Sequence, residues 1–243
     1  MASPLAPDDR FWYRLASRSA LLTGLALMLV IAFFPFIQAA SRGGLPKEFD
    51  PLAVFALREP TLFRLVLLVD SFAWFGLAGF LLAFAGLLAG RAPVAASIVA
   101  ICGIAQIVGV IGAMARRAIP DLVSAYAVAA PDQQAVLLRS YLDLQNVVMS
   151  PFNAGSALRM VAFLVVAWVA WSMRDFPRWI AAGFGVIGLV ALLAFLTTHF
   201  GTRIEALNSL RIALEGFFAL AIVWAFWGRA AVPGLAVRAA AAL

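Results

Sequence analysis

The sequence predicts an all-α, polytopic membrane helix bundle with six transmembrane helices and a helical outer segment between the third and fourth. Two observations carry that reading. Hydrophobic residues make up 65% of the 243 and charged residues only 12%, with a mean hydropathy of +1.00, well beyond the roughly half apolar content of soluble domains. The apolar residues also fall into six stretches, each close to the ~20 residues a helix needs to cross the ~30 Å hydrocarbon core. No alternating strand pattern interrupts them, so residues 1–243 read as one integral membrane domain.

The first stretch, Ser19 to Ala40, follows Arg10, Arg14 and Arg18 and ends on Gln38-Ala39-Ala40 in the manner of a secretory signal. At 22 residues it exceeds the roughly 7 to 15 of a cleavable core, so it is expected to stay as a signal anchor. The others are Leu62 to Ala89, Pro93 to Ala115, Pro151 to Met173, Trp179 to His199 and Ala206 to Trp227. Gly90-Arg91-Ala92 and Arg174 to Arg178 are tight turns, whereas Ser41 to Thr61 and Arg116 to Ser150 are long. Short and long connections alternate, so the long ones share a face, taken here as the outer one.

Within the longer connection, Leu137, Tyr141, Leu144 and Val148 recur at helical spacing after Pro131. A helical interfacial cap is expected there, interrupted near Pro151, because proline removes one backbone hydrogen bond and crowds the preceding turn. Ala105, Gly109 and Ala113 form a small-residue row in the third span, and Gly79 with Ala83 and Gly86 with Gly90 repeat the spacing in the second. Such rows let helix backbones approach within a bundle, against a second copy or against another subunit.

The formal charge of +6 comes from seventeen Arg and Lys47, spread over helix ends and loops. That distribution fits the lipid bilayer as partner and excludes a nucleic-acid-binding face, which needs clustered basic residues. Arg10, Arg14, Arg18, Arg91, Arg174, Arg178, Arg229 and Arg238 lie on the termini's side; Arg42, Lys47, Arg58, Arg116, Arg117, Arg139 and Arg203 lie in loops on the other. The balance favours cytoplasmic termini in a bacterial inner membrane.

The few polar residues inside the spans crowd toward the outer end. Counting inward at 1.5 Å per residue puts Asp70 and Arg159 about 12 Å deep, Gln106 about 14 Å and Glu215 about 15 Å. Charges at that depth cost about 2.5–3.5 kcal/mol each on insertion scales, so they are expected to face inward and pair, Arg159 with Asp70 or Glu215. Asn208, Arg211 and Glu215 share one face of the sixth span; Asp143, Asn146, Ser150 and Asn153 share a stripe leading into the fourth; His199 and Arg203 end the fifth at the same surface. Two readings stand. One is an ion-paired latch that fixes helix register; the other is an outward-facing pocket in which Arg159 or Arg211 meets an anionic group.

Several chemistries are excluded. A lone His199 cannot supply a bis-imidazole haem site, no cluster has metal-ligand spacing, and a lone Cys102 in mid-helix offers neither a disulfide nor a redox motif. The only Lys lies in a loop, so a retinal-type Schiff base on a helix is ruled out, and no phosphate-binding Gly loop follows a strand. No cofactor and no catalytic residue is expected.

Phe63-Arg64 opening the second span with Asp70 after it, Tyr141-Leu142-Asp143-Leu144-Gln145-Asn146 before the fourth, and Phe176-Pro177-Arg178-Trp179-Ile180 entering the fifth resemble the signatures of the bacterial six-helix membrane proteins catalogued as domain of unknown function 4386. The resemblance covers most of the chain, implies the six-crossing topology and adds Arg64 to the candidate residues. It leads one to expect a His beside Asn146, where this chain has Gln145, and it implies no activity. The expected role is a non-enzymatic binding or accessory protein, alone, as a homo-oligomer or in a larger membrane complex. The alternatives are a small-solute or proton-coupled permease and, third, an enzyme acting on lipid.

Overall fold

Proline at the first or second helical position, where its missing N–H costs nothing, opens five of the helices. In chain order the elements are α1 (Pro7–Ala39), α2 (Pro51–Arg58), α3 (Pro60–Ala89), α4 (Pro93–Ala115), a 3-10 turn at Arg116–Ala118, α5 (Ile119–Val128), α6 (Pro131–Ser172), α7 (Arg178–Phe200) and α8 (Glu205–Ala230). The structure is a computed structural model that describes residues 7–40, 45–173, 176–200 and 205–230. Among the described residues there is no strand, and 92% are helical. Six helices, α1, α3, α4, α6, α7 and α8, are long and apolar enough to span a membrane.

The six form a closed ring in the order α1, α3, α4, α6, α7, α8 and back to α1, with α7 against α8 the most lightly packed seam. Missing side chains set several of the contacts. A Cβ at Gly76 would lie 2.6 Å from Thr23 Oγ1, and one at Gly86 would enter the Trp12 ring, so α1 and α3 meet through glycine. The end of the bundle bearing the termini and short turns, here the plain end, is filled by aromatics. Phe84 sits 4.8 Å from Phe184, 4.9 Å from Phe80 and 5.8 Å from Phe226, and Phe163 stacks beside them.

The opposite end carries a cap. The helical outer segment expected between the third and fourth spans is present as α5 and the first five turns of α6, and the short α2 joins them to enclose a second core around Phe49, Phe55, Phe63, Ile119, Val123 and Tyr141. Phe49, fully buried, lies between Tyr126 at 5.0 Å and Tyr141 at 4.6 Å.

Two expectations need correcting. The expected interruption near Pro151 does not occur, since α6 is continuous from Pro131 to Ser172. Neighbours brace the helix on both sides of the proline: the Arg116 guanidinium donates to Met149 Sδ at 3.5 Å and stacks 4.4 Å from the Phe152 ring, while Gly112 admits Phe152 closely. Packing thereby outweighs the one lost hydrogen bond. The first helix also begins at Pro7, well before the apolar run, because Tyr13, Ala16 and Ala20 continue its buried stripe while Arg14 and Arg18 face outward.

Candidate functional site

Trp74 on α3 is the hub of the polar layer. A Cβ at Gly109 of α4 would penetrate its ring, and one at Gly155 of α6 would stand 3.2 Å away, so two helices give up side chains to seat one indole. The Arg159 guanidinium lies over the same ring, its Cζ 4.7 Å from the centroid, a cation–π contact in a water-poor setting. One turn before Trp74 on the same helix lies Asp70, half-buried.

Arg159, 4% exposed, leans across the bundle to α8. Its Nη1 donates to Glu215 Oε2 at 2.7 Å, and its Nη2 to Ser156 Oγ at 3.3 Å. Glu215 is as deeply buried and faces a second guanidinium, with Arg211 Nη1 3.8 Å from Oε1. Arg211 Nη2 in turn donates to Asn208 Oδ1 at 2.9 Å. Asn208, Arg211 and Glu215 therefore form the ladder expected from their spacing, and Arg159 selects Glu215 rather than Asp70. Gln106, fully buried, donates through Nε2 to Cys102 O at 2.8 Å and across to Gly155 O at 3.2 Å, tying α4 to α6.

Three predicted positions do not join this layer. Arg64, Asp143 and Asn146 are exposed, so the stripe of α6 bearing the last two faces outward; the side chain of His199 lies outside the described residues. Arg42, Arg174, Arg203 and Arg238 and the side chain of Arg229 also lie outside them. Two members of the small-residue row of α4 pack within the chain, Gly109 seating Trp74 and Ala113 being fully buried, while Ala105 is half-buried.

The sequence reading missed Trp74, Ser156 and a second polar network in the cap. There Gln145 Nε2 donates to Tyr141 Oη at 2.9 Å and to Asp50 Oδ2 at 3.3 Å, while Asp50 Oδ1 accepts the Ala53 N–H at 2.8 Å and caps α2. A signal for Trp74 was present, since an indole in mid-span opposite a glycine row on a neighbouring span has room to be seated there.

Some atoms of the buried layer are left over. Arg159 Nε, Arg211 Nε, Glu215 Oε1 and Gln106 Oε1 are shielded from solvent and have no hydrogen-bond partner among the described residues. Buried polar groups are normally satisfied, so such a set marks a place able to take a polar or charged guest. No three His, Cys, Asp or Glu of the described residues gather as a metal site. Comparison with family models, curated proteins and solved structures gives no match.

Proposed function

We propose that this chain is a non-enzymatic binding protein of the bacterial cytoplasmic membrane, with both termini cytoplasmic, whose outer-leaflet polar layer holds a small charged ligand or the polar group of a partner subunit. The observation that carries the reading is the unfinished bonding around Glu215: two guanidinium groups converge on one carboxylate, yet three of the buried polar atoms among them have no partner among the described residues. A latch whose only task is to fix register gains most when each lone pair and N–H is met. Basic residues on the termini's side support the orientation, and the motif resemblance supports the bacterial setting.

The permease reading is weaker because the phenylalanine cluster around Phe84 packs the interior of the plain half, where a path through the bundle would have to pass. The test is thermal unfolding of the purified full chain, in mild detergent, against carboxylates, phosphates, polyols and quaternary amines, together with mass spectrometry of copurifying proteins. A solute class that raises Tm in the wild type but not in Arg211→Gln, or a partner lost in that variant, supports the reading. If no class shifts Tm and no partner copurifies, the layer is only a latch.

A further inference from the structure

Neither arginine facing Glu215 uses its guanidinium as a fork. Arg159 gives Nη1 to Glu215 and Nη2 to Ser156, and Arg211 gives Nη2 to Asn208 and holds Nη1 3.8 Å from the carboxylate. The Nε of each is buried without a partner among the described residues, and so is Glu215 Oε1. Three side chains that meet at Glu215 thus keep two spare donors and one spare acceptor.

An oxyanion that engages Nε and Nη in parallel suits such arginines best. A carboxylate guest or sulfate would satisfy the donors but set oxygen against Glu215 Oε1, lone pair to lone pair. A phosphate that retains a proton does both: its oxygens accept from the arginines and its P–OH donates to Glu215. Charge points the same way. Two cations face one carboxylate, so the cluster carries an excess positive charge. Arg211 is the least buried of the three side chains, at 11% against 5% and 2%, which places the approach at the Asn208 end of the ladder.

We propose that Arg159, Arg211 and Glu215 form a site for a protonated phosphate group, either inorganic phosphate or a phosphate monoester, with Glu215 occupying the guanidinium clamp when the site is empty. This rests on the binding reading above and names its ligand.

The experiment is calorimetric titration of the full chain in detergent with inorganic phosphate and then sulfate, with a second arm in phosphatidylcholine nanodiscs doped with phosphatidate, a monoester, or phosphatidylglycerol, a diester. Saturable phosphate binding is expected, with sulfate weaker by about 10²-fold or more, because a site built around a donated hydrogen bond rejects the analogue that lacks it. Arg211→Gln should weaken phosphate about 10-fold or more. In Glu215→Gln the phosphate-to-sulfate ratio should shrink to about threefold or less, since the amide can donate to sulfate. Stabilisation by phosphatidate alone assigns the ligand to a lipid headgroup and supports the site. Equal binding of sulfate and phosphate, or no response to either phosphate or phosphatidate, overturns the proposal. The wider binding reading survives that failure if another solute class shifts Tm in the wild type and not in Arg211→Gln. Should Glu215→Gln fail to fold, the phosphate-to-sulfate ratio of the wild type and the Arg211→Gln titration decide the matter.

Discussion

Arg159 Nη1 and Glu215 Oε2 lie 2.7 Å apart, although α6 and α8, which carry them, scarcely approach each other along their lengths. Long side chains close the ring's interior where backbones do not. Both groups are almost wholly buried, so removing one leaves the other as an uncompensated charge. Arg159→Ala or Glu215→Ala should therefore cost about 3–5 kcal/mol, read as lost Tm or denaturant resistance in detergent. The double replacement Arg159→Met with Glu215→Leu should recover part of that loss, because a buried pair exchanged for apolar groups of similar volume is near neutral while Arg211 keeps Asn208 but loses its carboxylate. A double variant as unstable as the sum of its parts would show that the polar layer does more for folding than hold one pair.

Gly109 is the second place where stability turns on one contact. A Cβ there would lie 2.3 Å from the Trp74 ring, which Gly155 and Arg159 also contact closely. Gly109→Ala should destabilise by about 1–3 kcal/mol, the range for overpacking a tight core. Gly90→Ala meets nothing within 4 Å and serves as the control, expected to leave Tm unchanged. An effect of Gly109→Ala on oligomeric state without an effect on monomer stability would instead place that row at an interface between chains.

Hydropathy alone defined the six crossings, because a helix in lipid must be apolar for its whole length and the signal accumulates over twenty residues. Spacing along one helix likewise placed Asn208, Arg211 and Glu215 together, and a shared depth pointed to Arg159 and Gln106. What spacing could not supply was partnership between helices. Asp143 and Asn146 follow the same rule of spacing yet point outward, because α6 at that level turns Tyr141 and Val148 toward the core. Arg159's choice of Glu215 over Asp70 depends on ring order, which no single-helix pattern contains. The helical spacing after Pro131 did announce the first turns of α6, whereas α2, only 8 residues long, escaped because so short a helix gains its stability from the shared core around Phe49.

That cap hangs on Gln145. Its amide joins Tyr141 of its own helix to Asp50 ahead of α2, so Gln145→Ala removes two hydrogen bonds at once. A loss of about 1–2 kcal/mol is expected, together with faster hydrogen exchange at the Ala53 and Val54 amides that lean on Asp50. Asp50→Ala should accelerate the same amides by removing the cap itself, worth about 1 kcal/mol. Gln145→His, which keeps a donor in place, should retain slower exchange than Gln145→Ala. Unchanged exchange in all three variants would mean that Phe49 packing alone holds α2.

Accessibility separates a one-sided binding layer from a channel through the bundle. With Cys102 replaced by Ala, single cysteines at Asn208 and Val166 sample the ladder's cap-end rung and the plain-half core. Asn208 is half-buried beside Arg211, whereas Val166 is fully buried among the aromatics that include Phe163 and Phe184. A membrane-impermeant maleimide should label Asn208→Cys from one side only, and that side fixes the orientation of the chain. Val166→Cys should stay unlabelled from both sides, because a hydrated path there would have to part ring contacts of 4.8 to 5.8 Å that hold three helices together. Labelling of Val166→Cys from the side opposite to Asn208→Cys would mean that those rings separate in a second state. The polar layer would then be the midpoint of a transport route, and the permease reading would replace the binding one.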